Sequence, residues 1–262
     1  MENRKRAILV VSFGTSYVET RKKTIEQIEA EIQAAYPQHP VYRAWTSGMI
    51  RRKLMARDGL KILDVREAME QMRADGICEV VVQPTHMLNG IENDLMTEDV
   101  MAYRDQFEQI VIGAPILTSQ EDHTCVIEAV AEELKPSSEE VLVLMGHGTP
   151  HFSNSVYAAL DYQFKDMGYP NIFMGTVEAY PSMESLLKMI RPLEPKRIVL
   201  APFMIVAGDH ANNDLSGEAE DSWKSQFEAA GFEVVCVLKG LGEYRKVREL
   251  ILKHVKAAME EL

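Results

Sequence analysis

Residues 140–151 read EVLVLMGHGTPH, an apolar run that ends in a histidine between two glycines. Residues 10–17, VVSFGTSY, repeat the same order of apolar strand, ring side chain and Gly-Thr pair. Phe13 occupies the position that His147 has in the later stretch. The repeat predicts two structurally similar halves, and the exchange of phenylalanine for histidine predicts that polar donors belong to the second half.

Apolar runs rich in Val and Ile alternate with amphipathic segments of helical periodicity along both halves. Near-continuous apolar runs are typical of parallel strands, because crossover helices cover both faces of such a sheet. We therefore predict an α/β fold of two similar halves, each a parallel sheet of about four strands flanked by helices. The predicted strands are RAILVVSF (6–13), VYRAWT (41–46), EVVVQPTH (79–86), QIVIGAPIL (109–117), EVLVLMGH (140–147), NIFMGTVEAY (171–180), RIVLAPFMIV (197–206) and FEVVCVLKG (232–240).

The stretch ELKPSSEE at 133–140 places a proline and two serines between a helical pattern and a strand. This composition favours a hinge. We predict an N-terminal α/β half over 1–135 and a C-terminal α/β half over 136–262 that carries the metal-binding residues.

The two halves differ in length between matched landmarks. Gly148 lies 134 residues after Gly14, whereas Pro202 lies 118 residues after Pro84, so the first half holds 16 additional residues. The surplus fits best in an extra helical segment near 47–61, SGMIRRKLMARDGLK.

The net charge of −12 argues against nucleic acid or an anionic membrane as a partner, since both attract basic surfaces. An anionic small molecule would instead need a local group of cations. Arg51, Arg52 and Lys53 lie together in the extra segment. Two interpretations stay open for them, a solvated helix face and a site for an anionic ligand.

The composition also predicts where the protein acts. Its 46% hydrophobic content is ordinary for a globular chain, and no apolar run approaches the roughly 20 residues of a membrane helix. The three cysteines are scattered and lack metal-ligand spacing, which favours a reducing, cytoplasmic location. The sequence leaves the oligomeric state open, a homo-oligomer included.

Three potential metal ligands stand at the ends of successive predicted strands of the second half: His147, Glu178 and His210. Ligands gather at the carboxyl ends of parallel strands, because the loops there face a common crevice. Two imidazoles and one carboxylate suit a divalent transition metal and leave coordination positions vacant. The same groups can accept and stabilise a proton at physiological pH.

Several motifs resemble the anaerobic sirohydrochlorin cobaltochelatases of the CbiK type, class II chelatases related to ferrochelatases. The similarity extends over the full length, and the long stretch around DHANNDL is far more specific than HGT. The motifs are SFGTSY (12–17), HMLNG (86–90), HGTPH (147–151), VEAYPS (177–182) and FMIVAGDHANNDLSGEAEDSWKSQF (203–227).

This resemblance implies ATP-independent insertion of Co²⁺ into sirohydrochlorin in anaerobic cobalamin biosynthesis, with release of two protons. It implies that the active site lies in the cleft between the halves. It assigns metal binding and catalysis to His147, Glu178 and His210, with His147 also the proton acceptor. Cobalt is then a substrate, and no permanent cofactor is expected.

Further candidates for substrate binding are Phe13, Arg51, Arg52, Lys53 and His86. The metal stays open, because related chelatases insert Fe²⁺ or Ni²⁺ with similar donors. A ferrochelatase or nickel chelatase that acts on a related tetrapyrrole, such as a porphyrin, is therefore an alternative. A non-catalytic, two-lobed protein that binds metal or tetrapyrrole is a further alternative. A histidine phosphoesterase is disfavoured, because glycines flank His147 where that class has an arginine beside its nucleophile.

Overall fold

The structure is a computed structural model that describes residues 5–262. These residues form two compact units, one of residues 5–122 with 247–262 and the other of residues 123–246. The long helices α6 (Gln120–Leu134) and α10 (Arg245–Glu260) each contain a unit boundary. The division at residues 135 and 136, and the active site in a cleft between halves, stay predictions.

The first unit contains a four-stranded parallel sheet in the order β2-β1-β3-β4. The central residues of β1 are fully buried on both faces, which is the burial expected of a strand between two helical layers. The strands are β1 (Arg6–Ser12), β2 (Val41–Trp45), β3 (Glu79–Pro84) and β4 (Gln109–Ile112).

Helices connect these strands and cover the sheet. One apolar core forms where α4 and α5 pack on the strands through residues such as Met69, Met72 and Met96. The helices are α1 (Val18–Lys23), α2 (Ile25–Ala35), α3 (Gly48–Asp58), α4 (Val65–Ala74) and α5 (Ile91–Met101), with a short 3₁₀ turn at Arg104–Gln106.

The second unit repeats this arrangement with the strand order β6-β5-β7-β8, also parallel throughout. The equivalent order in both units confirms the predicted α/β fold with two similar parallel sheets. Each predicted apolar run contains one strand. The strands are β5 (Glu140–Gly146), β6 (Ile172–Thr176), β7 (Arg197–Pro202) and β8 (Glu233–Cys236).

The helices of the second unit pack a core of Leu186, Trp223 and Phe227 against the strands. The helices that connect the strands of this unit are α7 (Ser155–Asp166), α8 (Met183–Ile190) and α9 (Trp223–Ala229), with 3₁₀ turns at Phe152–Asn154, Arg191–Leu193 and Leu241–Glu243 and a π-helical turn at Ala211–Leu215. The connection between β2 and β3 holds two helices, α3 and α4, whereas the described connection between β6 and β7 holds α8 and one 3₁₀ turn. Helix α3 therefore occupies the stretch to which the length difference points.

No helix within residues 5–262 combines the length and the apolar character that a membrane span requires.

Helix α10 is held in the first unit by a buried polar contact. Nε2 of His254 lies 2.9 Å from Oδ1 of Asp122, and Nδ1 lies 3.1 Å from the carbonyl oxygen of Ala114. Burial raises the pKa of the Asp122 carboxyl, but hydrogen bonds from His254 and Ser119 outweigh burial and hold that pKa below its ordinary value. The carboxylate and the imidazole are thus each satisfied by the other.

Asp122→Ala is expected to destabilise the first unit by about 3 kcal/mol or more, because His254 then loses its buried partner. Urea denaturation followed by Trp45 fluorescence, in a Trp223→Phe background, measures this unit alone.

Glu121→Ala is the matched control, since Glu121 is an exposed neighbour whose ion pair with Lys253 lies at the surface. Its removal should cost less than about 1 kcal/mol. Equal unfolding free energies for the two variants would show that the buried pair does not anchor α10.

Candidate metal centre

The structure brings the three strand-end donors together. His147 follows β5, Glu178 lies in the loop after β6, and His210 lies in the loop after β7. One ligand atom from each lies within 4.8 Å of the other two. This spacing suits simultaneous coordination of one divalent metal ion.

Parallel pairing continues beyond the ends of β5 and β6. The amide of Val177 donates to the carbonyl of Gly146, and the amide of Glu178 donates to the carbonyl of His147, each at 3.0 Å. Because these bonds join the two loops directly, the backbone holds His147 and Glu178 side by side.

Gly148 permits the two loops to approach this closely. Its φ is +85°, and a Cβ there would lie 2.9 Å from the nitrogen and 3.0 Å from the Cβ of Ala179. Any other residue would combine left-handed strain with this overlap. The glycine in HGT therefore sets the distance between the loop of His147 and the loop of Glu178.

Each imidazole has one nitrogen engaged in a hydrogen bond. Nδ1 of His147 lies 2.7 Å from the carbonyl oxygen of Gly148, and Nδ1 of His210 lies 2.8 Å from Oδ2 of Asp214. A carbonyl oxygen can only accept, so Nδ1 of His147 donates, and Nε2 of the neutral ring keeps its lone pair. A ring held in this way presents Nε2 to a metal ion or a proton.

The centre is open to solvent. The side chains of His147 and Glu178 are 45% and 53% exposed, and Nδ1 of His147 lies 3.8 Å from Oε2 of Glu178. The rings of His147 and His210 meet edge to face with centroids 4.7 Å apart. A closed structural metal site buries its ligands, whereas this exposure leaves room for a further ligand.

The buried side chain of Tyr157 supports the loop that carries His147. A Cβ at Gly146 would lie 2.4 Å from the Tyr157 ring, so the ring packs directly on the backbone that precedes His147. Burial raises the pKa of Tyr157 to about 12, although hydrogen bonds to the backbone of Gly148 and His147 oppose it. The phenol is therefore neutral at physiological pH and acts as a packing element.

Two exposed aromatic side chains lie on the loops that carry the donors. Phe152 is 85% exposed and stacks on His151 with ring centroids 3.9 Å apart, and Tyr180 is 63% exposed. Asn154 accepts from the amide of Thr149 at 3.0 Å and donates to the carbonyl of Tyr180 at 2.7 Å. The Asn154 side chain thus holds the loop of Phe152 and the loop of Tyr180 together. Each of these two loops exposes an aromatic ring.

The additional substrate-binding candidates belong to the first unit, and their role stays a prediction. Phe13 is exposed. Burial lowers the pKa of His86 to about 4, against the opposing effect of a contact with Asn93, so this ring is neutral at physiological pH.

The predicted cations lie on α3. Arg51 forms ion pairs with Asp64 at 3.0 Å and with Glu67 at 3.3 Å. Arg52 and Lys53 are exposed. The guanidinium of Arg51 thus already has carboxylate partners within the same unit.

Asp214, Phe152, Tyr180 and Asn154 were not among the residues predicted from the sequence. The spacing of His210 and Asp214, four residues apart, identifies a pair only when the intervening chain is helical. Aromatic residues in a loop form no periodic pattern, so the sequence does not indicate their exposure.

The fold matches solved chelatases over nearly the whole chain. The sirohydrochlorin chelatase SirB from Bacillus subtilis subspecies spizizenii, solved in complex with cobalt, has a TM-score of 0.67 and 14% identity, covering 98% of this chain and 96% of its own. CbiX, described as the terminal enzyme for biosynthesis of siroheme in denitrifying bacteria, has a TM-score of 0.53 and 17% identity, covering 97% and 99%. The fold is thus that of the chelatases.

The sequence defines the family within this class. The family model described as Cobalt chelatase (CbiK) matches residues 6–260, so the chain belongs to the CbiK cobalt chelatase family. It is 37% identical to the sirohydrochlorin cobaltochelatase of Salmonella typhimurium over 256 residues, which cover 97% of each chain. It is 31% identical to the sirohydrochlorin cobaltochelatase CbiKC of Nitratidesulfovibrio vulgaris over 264 residues, covering 98% of this chain and 92% of the relative. The resemblance and the enzyme class predicted from the motifs are confirmed.

Gly148→Ala is expected to weaken Co²⁺ binding by about tenfold, because the added methyl group separates the loops of His147 and Glu178. Isothermal titration calorimetry with Co²⁺ alone measures this effect without any turnover.

Gly168→Ala is the matched control. Gly168 also has a positive φ, +90°, but no atom lies within 4 Å of the position that a Cβ would take there. Both variants should carry similar backbone strain, of about 1–2 kcal/mol. Equal Co²⁺ affinities in the two variants would contradict the role given to Gly148.

Proposed function

We propose that the protein inserts Co²⁺ into sirohydrochlorin without ATP, with release of two protons, as a step of anaerobic cobalamin biosynthesis. The observation that carries this proposal is the convergence of His147, Glu178 and His210 within 4.8 Å in a member of the CbiK family. The names of both curated relatives support the tetrapyrrole and the metal.

Cobalt enters as a substrate. Two imidazoles and one carboxylate form a borderline donor set that binds Co²⁺ and leaves coordination positions for a further ligand. The exposure of His147 and Glu178 lets a macrocycle approach the metal. Fe²⁺ and Ni²⁺ accept the same donors, so the preference for cobalt rests on the relatives and is part of the proposal.

His147 acts as the proton acceptor in this proposal. While Co²⁺ is bound to the protein, Nε2 of His147 is a metal ligand. When the metal moves to the pyrrole nitrogens, that lone pair becomes free and takes one of the two pyrrole protons, while the other passes to solvent at this exposed site. The carboxylate of Glu178, 3.8 Å away, then stabilises the imidazolium. His147 thus binds the metal before insertion and accepts a proton once the metal has left.

The macrocycle needs both apolar and cationic contacts. Phe152 and Tyr180 offer exposed rings on the loops that carry His147 and Glu178. The carboxylate arms of sirohydrochlorin require local cations on a protein of net charge −12, and Arg51, Arg52 and Lys53 are proposed to supply them. To bind a carboxylate arm, the guanidinium of Arg51 must break its ion pairs with Asp64 and Glu67 or bind the arm in addition to them. The side chains of Arg52 and Lys53 are exposed.

The cytoplasmic location is a further part of the proposal. It is supported by the three cysteines, Cys78, Cys125 and Cys236, none of which forms a disulfide within residues 5–262. Repeated formation of metallated sirohydrochlorin by each protein molecule distinguishes an enzyme from a protein that only carries metal or tetrapyrrole.

Glu178→Gln is expected to lower the rate of cobalt insertion at limiting Co²⁺ by about tenfold or more, because the variant keeps the shape of the ligand and loses its charge. His210→Ala should have a similar effect. The measurement is the absorbance change of sirohydrochlorin on metallation.

Glu184→Gln is the control, since Glu184 is an exposed carboxylate at the start of α8 on the same β6-to-β7 connection. It should retain the wild-type rate. Wild-type kinetics in both Glu178→Gln and His210→Ala would contradict the proposed centre.

Phe152→Ala is expected to raise the KM for sirohydrochlorin about fivefold, since about 40 Å² of lost apolar contact corresponds to about 1 kcal/mol. The KM for Co²⁺ should not change, because a phenyl ring has no ligand atom for the metal. Tyr162→Ala removes another exposed aromatic ring of the same unit, on α7, and serves as the control. An unchanged KM for sirohydrochlorin in Phe152→Ala would exclude this ring from the substrate surface.

A further inference from the structure

The two imidazoles of the metal centre are held in different ways. Nδ1 of His147 donates to a backbone carbonyl, whereas Nδ1 of His210 lies 2.8 Å from a carboxylate oxygen of Asp214. A backbone carbonyl is a neutral acceptor fixed by the loop. The carboxylate is a charged acceptor on a side chain, and a single substitution can therefore remove it.

The local backbone places Asp214 beside His210. His210 immediately precedes the π-helical turn Ala211–Leu215, which brings the two side chains to the same side. Ser216 Oγ donates to the carbonyl of Ala211 at 2.9 Å, and Asn212 Nδ2 donates to the carbonyl of Gly208 at 2.7 Å. The bond between Asn212 and Gly208 spans His210, and the bond between Ser216 and Ala211 spans Asp214, so both members of the pair lie in a hydrogen-bonded turn. Such π-helical turns are rare and frequently occur at functional sites.

The charged contact of Asp214 is its pair with His210. Within the part of the chain that the structure describes, no Lys or Arg forms an ion pair with this carboxylate, and its contact is with His210. Its side chain is 44% exposed, so it does not fill the core.

We propose that Asp214 is the positioning residue of the metal centre. Its carboxylate accepts the Nδ1–H of His210, fixes that tautomer and turns the lone pair of Nε2 toward the metal. A carboxylate in this place also makes the imidazole a stronger donor. The proposal rests on the proposed chelatase function but concerns a property that the metal-free protein already has.

The first test reads the tautomer directly. Long-range ¹H–¹⁵N correlation spectra of histidine-labelled, metal-free protein distinguish a ring protonated at Nδ1 from one protonated at Nε2, and His210→Ala assigns the resonance. Wild-type His210 should carry its proton on Nδ1. Asp214→Ala should shift the ring toward the Nε2-protonated tautomer, whereas Asp214→Asn should keep much of the Nδ1 form, because its amide oxygen still accepts.

The second test measures Co²⁺ binding by isothermal titration calorimetry. Asp214→Ala should lose about 10-fold to 100-fold in affinity, and Asp214→Asn should lose less. In turnover, Asp214→Ala should raise the KM for Co²⁺ and leave the KM for sirohydrochlorin unchanged. Glu220→Gln, which removes an exposed carboxylate from the same connection, should behave as wild type in every measurement.

Circular dichroism establishes whether each variant is folded. If Asp214→Ala does not fold, the tautomer and the Co²⁺ affinity of Asp214→Asn decide the question. A folded variant at position 214 with the wild-type tautomer and the wild-type Co²⁺ affinity overturns the proposal, as does a wild-type His210 protonated on Nε2. Failure of the proposed function is a different result, in which wild-type protein binds Co²⁺ with the expected tautomer and forms no metallated sirohydrochlorin.

Discussion

The candidate site depends on the parallel hydrogen bonding of β5 to its two neighbours. On one side the amide of Glu178 donates to the carbonyl of His147, and on the other the amide of Phe203 donates to the carbonyl of Met145 at 2.7 Å. Parallel strands end at the same edge of a sheet, so each loop that leaves this edge starts beside the others. The three donors converge because a central strand with two parallel partners brings their loops together, although they are far apart along the chain.

The first unit shows what the same fold does without ligands. Its sheet has the equivalent strand order, and Gly14 adopts a positive φ of +102° as Gly148 does. At Gly14 the close neighbour is the ring of Trp45, 2.5 Å from where a Cβ would lie. With Phe13 in the position of His147, this loop has a phenyl ring where the second unit has an imidazole. The repeated backbone is thus compatible with either role, and the side chains after the strand decide between them.

The sequence predicts the strands better than it predicts the contacts around the candidate site. Eight apolar runs indicate the strands because burial on both faces leaves an unbroken signal. Asp214 escapes prediction because DHANNDL shows no helical pattern, although the chain forms a π-helical turn there. The pairing of Arg51 with Asp64 and Glu67 joins α3 to the start of α4, which charge patterning along one segment does not reveal.

The role proposed for His147, Glu178 and His210 is to form one centre for the metal that is to be inserted. Anomalous diffraction at the cobalt edge, from crystals of the protein soaked with Co²⁺ alone, tests it most directly. One strong peak is expected, bonded to a nitrogen of each imidazole and to the carboxylate, at about 2.0–2.2 Å. A strong peak elsewhere, with these three side chains free of metal, would contradict it.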